Sequence, residues 1–249
     1  MHNHKSIFTC PEWMQHPWNG FQRSPLDDLT DLYFDMAAAI QESKTIFYTA
    51  NQTRRQESLQ GLITTLTKLD SDITTYYNEF HDLTPGPLYW AELSILENCT
   101  DDPTLGKLFP VSYYFPSFFI SQIVVMYWNA MVMIHLHISV TYDVLAMLGS
   151  SPKSDSTRSA EHDAIWRRMV DNLCQSAEYF SRDTVGGLGP MTVFPFLYGA
   201  KLCLERRPAH TGSDRNVQWI SDCVQKMLMK FHFPVENMLG DYETWKGQK

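Results

Sequence analysis

Apolar residues recur along much of this chain at alternating spacings of three and four. From Leu59 they fall at Leu59, Leu62, Leu66, Leu69, Ile73, Tyr76 and Phe80. That period places them on one face of a helix. The same spacing returns at Trp166, Met169, Leu173, Ala177 and Phe180, and again at Val217, Ile220, Val224, Met227 and Phe231. A shorter stripe, Leu26, Leu29, Tyr33 and Met36, follows Ser24-Pro25. A cap residue before a proline is a good helix start. No stretch alternates reliably with period two, and no Asn-Gly or Asp-Gly pair separates alternating runs, so no strand is expected. Residues 84–87 (TPGP), 98–106, 149–160 and 207–216 are rich in Pro, Gly, Ser and Asp and predict loops. The longest, 149–160, reads as a surface excursion.

Phe109 to Tyr142 carries no Asp, Glu, Lys or Arg over thirty-four residues. A membrane span and a buried central helix both fit such a run. Gln122, Asn129, His135, His137, Ser139 and Thr141 interrupt it, and no basic cluster flanks it, which favours the buried helix. The expectation is therefore an all-α fold: one large domain over residues 1–249, roughly eight to ten helices, built around a helix from about Pro116 to Leu148.

Composition agrees. Apolar residues make up 44% and charged residues 19% of 249, a globular balance. The formal net charge is −8, which opposes nucleic acid unless basic residues cluster. The basic pairs Arg54-Arg55, Arg167-Arg168 and Arg206-Arg207 suit solvated helix surfaces instead, so direct DNA binding is not expected of this chain. Five widely spaced cysteines, Cys10, Cys99, Cys174, Cys203 and Cys223, form no C-x-x-C. They argue against a disulfide framework or a cysteine zinc site, and for a reducing compartment. The first residues hold no apolar run of signal-peptide length.

Four patterns invite chemistry. Asp27-Asp28-Leu29-Thr30-Asp31 is a DDxxD, by which helical terpene cyclases and prenyltransferases hold magnesium and a diphosphate. Residues four apart share a helix face, so Asp27 and Asp31 suit a hard cation. The same acids directly after Ser24-Pro25 also suit the positive end of a helix, and no second acidic metal motif follows. The helix start is the expectation, with no metal and no cofactor. His135 and His137 resemble a metal pair, but two residues apart on a helix they diverge by about 200°. The aromatic runs of the central segment suit core. They also admit a small apolar pocket with Gln122, Tyr127, Trp128, Asn129 and His135 around it. Finally, Val185-Gly-Gly-Leu-Gly-Pro-Met191 resembles a phosphate loop. It follows a helix rather than a strand, and lacks the Lys-Ser/Thr after its last glycine, so a helix-to-helix turn is expected. Valine at Gly187 or Gly189 should then destabilise the fold.

The runs NLCQSAEYF, GGLGP, FPFLYGAKLCLERRP and VQWISDCVQKMLMKFHF follow one another in the closing part of the chain. In that order they resemble the end of the fungal-specific transcription factor domain, the regulatory region that usually follows a binuclear zinc cluster. FTCPEWMQHPWNGFQRSPLDDLTDLYFDM resembles that family's tryptophan and proline entry and acidic first helix. LDSDITTYYNEF and FFISQIVVMYWNAMVMIHLHI resemble its later segments, with Tyr76 or Tyr77 where tryptophan is common. The resemblance covers nearly the whole chain. It implies a nuclear or nucleus-cytoplasm shuttling regulator that works through protein contacts, with the transcription machinery or a full-length homologue, and through a small apolar ligand. It also implies a role in a secondary-metabolite pathway. The chain departs from the family in having no short basic stretch with six cysteines. A solitary regulatory domain, a truncated product, a partner that sequesters a full-length relative, or a reused domain is the expectation.

Overall fold

The computed structural model describes residues 22–48, 50–149, 152–207 and 213–231. His2, His4, Cys10 and the tryptophan and proline entry before residue 22 lie outside the described residues. The protein is all-α, with six helices and one two-stranded sheet among the described residues. The helices are α1 (Pro25–Phe47), α2 (Gln52–Leu83), α3 (Phe118–Met147), α4 (Pro152–Phe180), α5 (Leu188–Arg206) and α6 (Ser213–Lys230). The strands are β1 (Trp90–Leu93) and β2 (Val111–Tyr114). Residue contacts group these elements into two compact units. The first holds the described residues up to Leu88 together with Met126–Val170. The second holds Tyr89–Val125 and the described residues from Asp171 onward.

In the first unit, Ser24 caps α1. Its side chain accepts from the Asp27 N–H, while Asp27 Oδ2 accepts from the Ser24 N–H at 2.8 Å. This reciprocal box satisfies two orphan donors, and Pro25 at the first position has no N–H to lose. Asn51 caps α2 through the Arg54 N–H at 2.9 Å. The expected stripe on α2 is realised: Leu59, Leu62, Leu66, Leu69, Ile73 and Phe80 are all buried. Each such side chain contributes about 1.5–3 kcal/mol by leaving water. Tyr76, on the same stripe, instead reaches the Pro25 carbonyl at 2.6 Å and ties the start of α1 to α2.

The central run is one helix, α3, close to its expected ends. It is long and apolar enough to cross a membrane, and 61% of its most apolar 18-residue window is buried inside the protein. Within the first unit its buried residues include Trp128, Ala130, Val132, Ile134, Ile138 and Leu145.

Residues 149–160 depart from expectation. Helix α4 begins at Pro152, so most of the segment is helical. Its Ser, Thr and Asp residues are poor helix formers by propensity, but tertiary contacts hold two of them. Asp155 and Ser159, one helical turn apart, are buried, and the Ser159 hydroxyl donates to Asp143 at 2.6 Å.

In the second unit an unexpected sheet pairs β1 with β2 antiparallel, from Trp90 opposite Tyr114 to Leu93 opposite Val111. It left no period-two signal because each strand is four residues long and β1 is exposed on both faces. Leu173, Ala177 and Phe180 of α4 are fully buried, as are Val193 and Leu197 of α5 and Ile220 of α6. Helices α5 and α6 pack on each other.

A helix-to-helix turn joins α4 to α5 as expected, but it spans Ser181–Gly187, and Leu188, Gly189 and Pro190 already belong to α5. The three glycines of the VGGLGP run are not equivalent. Gly186 has φ +63°, a left-handed backbone that glycine adopts at no steric cost. A Cβ at Gly189 would lie 2.3 Å from the Phe180 carbonyl oxygen. Gly187 has right-handed backbone and open space around it, so the expectation that valine there unsettles the fold is corrected.

Candidate functional site

Two polar sites stand out, one in each unit. In the first unit, Asp70 of α2, His135 of α3 and His162 of α4 form a chain. The two histidine Nδ1 atoms are 2.7 Å apart, and His135 Nε2 is 3.5 Å from Asp70 Oδ1. A ring nitrogen pair this close shares one proton, so at least one ring is neutral with a defined tautomer. Burial, then the neighbouring His135, holds the His162 pKa below the ordinary histidine range. Next along α3, Ser139 contacts the Ser159 carbonyl and hydroxyl at 3.0 Å and donates to Asp163 at 2.7 Å. Asp163 also accepts from Trp166 Nε1 at 2.8 Å. His137 points elsewhere, with Nδ1 on the Met133 carbonyl at 2.7 Å, as its 200° divergence from His135 requires.

The pocket residues expected on the central helix are mostly engaged. The Tyr127 ring stacks on Tyr77 with centroids 3.9 Å apart. Asn129 donates to the Tyr33 hydroxyl at 3.2 Å, and that hydroxyl donates to the Met126 carbonyl. Trp128 is buried. Gln122 belongs to the second unit while the other four belong to the first. Helical spacing puts Gln122 and Asn129 on one face of α3, and Trp128 and His135 on another.

Asp27, Asp28 and Asp31 are also accounted for. Asp27 is in the Ser24 capping box; its pKa is lowered by those hydrogen bonds. Arg23 Nε donates to Asp28 at 2.8 Å, and Arg23 also pairs with Asp31. The carboxylates that a magnesium–diphosphate site needs are turned to a cap and a guanidinium. No group of three or more His, Cys, Asp or Glu poised for a metal occurs among the described residues.

In the second unit a cleft of about 530 Å³ opens between the extended segment 95–97, the end of α4 with its following turn, and α6. Its buried lining includes Cys223 and Met227. Burial pushes the Cys223 thiol pKa up to about 12, which makes it a poor nucleophile at neutral pH. At one wall Glu178, itself buried, gathers five donors. Oε2 accepts from the Ser94 and Ser112 hydroxyls at 2.8 Å each, and from the Ile95 and Leu96 N–H groups at 3.0 and 3.1 Å. Oε1 accepts from the Tyr114 hydroxyl. Burial alone would raise the Glu178 pKa, but the bonds from Tyr114, Ser94 and Ser112 outweigh it and hold the carboxyl below its usual range. Burial, then Glu178, pushes Tyr114 up to about 12.

The cations around the cleft are less committed. Lys226 bonds Asp222 at 2.8 Å and the Glu97 carbonyl at 2.9 Å. Lys230 bonds Asp183 and the Ser181 carbonyl, each at 2.8 Å. The Arg182 guanidinium lies over the Tyr114 ring, 4.0 Å from its centroid, and is paired with no carboxylate among the described residues. None of these residues was singled out from the sequence. A faint signal existed: Cys223, Lys226, Met227 and Lys230 recur at helical spacing on α6, but nothing local links them to Glu178 or Arg182.

Comparison with protein-family models, with curated proteins and with solved structures returned no match.

Proposed function

We propose that this chain is a regulatory domain of the fungal zinc-cluster type, acting in the nucleus through protein contacts in control of a secondary-metabolite pathway. The observation that carries the reading is the ordered run of resembling segments from the acidic first helix to the closing amphipathic helix. The all-α fold supports it. NLCQSAEYF ends α4 with Cys174, Tyr179 and Phe180 buried. GGLGP spans the end of the turn and the start of α5, with Gly186 in left-handed backbone and Gly189 close against Phe180. VQWISDCVQKMLMK forms α6, with Trp219, Ile220, Cys223, Val224, Met227 and Leu228 buried. The net charge of −8 favours protein partners over DNA.

The test is a fusion of the whole chain to a heterologous DNA-binding domain in a fungal reporter strain. We expect a severalfold change in reporter transcription, nuclear retention of a fluorescent fusion, and co-purification with a zinc-cluster regulator. An inert fusion that neither enters the nucleus nor captures such a regulator would rule the reading out.

A further inference from the structure

We propose that the cleft between residues 95–97, the end of α4 and α6 binds a small amphipathic molecule carrying one carboxylate, with Arg182 as its principal anchor. Volume comes first. About 530 Å³ is within the range of small-molecule sites, which are lined mainly by apolar groups with a few placed polar ones. Leu96, Cys223 and Met227 supply the apolar surface.

The sign of the ligand's charge follows from which groups still have hydrogen-bonding capacity. Glu178 already takes five hydrogen bonds and cannot also hold a cation. The basic groups are in the opposite state. An ammonium has three donors, and Lys226 and Lys230 each use two. Arg182 is exposed, is held in orientation by the Tyr114 ring, and keeps most of its five donors. A carboxylate accepts from such a fork in bidentate fashion. The number of charges follows from the rim acids. Glu97 and Asp183 also line the cleft and repel a second negative charge, which favours a monocarboxylate over a phosphate dianion. The inference concerns binding by the purified chain and stands apart from the regulatory reading.

Octanoate, octyl phosphate and octylamine, each titrated into the intact purified chain by calorimetry, test it. Octanoate should bind at one site, more weakly at high salt, and octylamine should not bind. Arg182→Met should weaken octanoate about tenfold or more, the scale of one charge-assisted pair, with Arg182→Lys recovering part of the loss. Met227→Trp, which fills the cleft, should abolish binding, and unchanged circular dichroism and melting of the Arg182 variants should show an intact fold. Absence of octanoate binding, equal binding in Arg182→Met, or equal binding of octylamine would overturn the proposal. Tighter binding of octyl phosphate than octanoate would overturn the carboxylate assignment.

Discussion

The polar groups around His135 and Ser139 in the first unit and those around Glu178 and Arg182 in the second make an instructive pair. Both contain acids and buried hydroxyls. In the first, hydrogen bonds link Ser139, Ser159, Asp143, Asp163 and Trp166 to one another, and Arg167 lies 4.0 Å from Asp163. The product of this network is structure: it holds a serine-rich segment in helix α4. In the second, the acid Glu178 is fully spent while the nearby cations are not. A site with leftover capacity of one sign beside an apolar cleft has something to offer a ligand. Counting donors and acceptors separates the two, where the residue types alone do not.

The sharpest way to break this contrast is Glu178→Gln. It leaves a buried amide facing hydroxyl and N–H donors, each unpaired donor costing about 1–3 kcal/mol. We expect a loss of several kcal/mol in urea unfolding, far more than any change at Arg182. Near-native stability would mean that the carboxylate is not the hub described. Next in size is Gly189→Val. Its Cβ would meet the Phe180 carbonyl, and relief of the overlap should cost about 3 kcal/mol. Gly187→Ala, on right-handed backbone with open space, should be neutral or stabilise by up to about 1 kcal/mol. Similar melting shifts for the two would refute the geometry of the turn.

Ser139→Ala removes one hub of the first-unit network and should cost about 1–3 kcal/mol, with hydrogen exchange quickening at the start of α4. The two sites also differ in pH response. His162 and His137 are held below the ordinary histidine value of 6.5, chiefly by burial. The unfolded chain then takes up protons first, so stability is full above that value and falls as pH drops through it. Asp70 and Glu161 oppose the shift at His162, and the Met133 carbonyl opposes it at His137, where Lys44 adds to it; burial outweighs the opposing groups at both. Glu178 acts lower: its stabilisation is full above the unfolded value of 4.5 and is lost as pH falls further through its lowered pKa. Unfolding followed against pH should weaken in two windows, the upper one removed by His162→Gln and His137→Gln. A single window near the carboxylate range would contradict the histidine assignment. Smallest of all, Arg182→Met should change stability by about 1 kcal/mol or less, since an exposed cation–π contact is worth about 0.5–1 kcal/mol. A larger loss would make Arg182 a structural residue and dissolve the contrast.

Much of the scaffold was legible in advance. The α2 stripe, the α4 stripe and the Ser24-Pro25 start appear as the spacing implies, because helix burial repeats every three or four residues and capping is local. The candidate site was not legible in the same way. The aromatic residues of α3 drew attention by type, yet Tyr127 and Asn129 are engaged by Tyr77 and Tyr33, from helices distant in sequence. The cleft is assembled from residues 95–97, 178–183 and 223–230, and no spacing rule links those segments.

By itself, then, the sequence determined the all-α class, the faces the helices bury and the presence of a helix-to-helix turn before Leu188, since each rests on interactions within a few residues. Tertiary structure alone decided that residues 152–160 are helical, that Trp90–Leu93 pairs with Val111–Tyr114, and which glycines the turn needs. It also decided that Glu178 is spent while Arg182 is not. Those outcomes depend on partners tens of residues away, and a hydrogen bond is satisfied or left open only once the chain has brought both of its ends together.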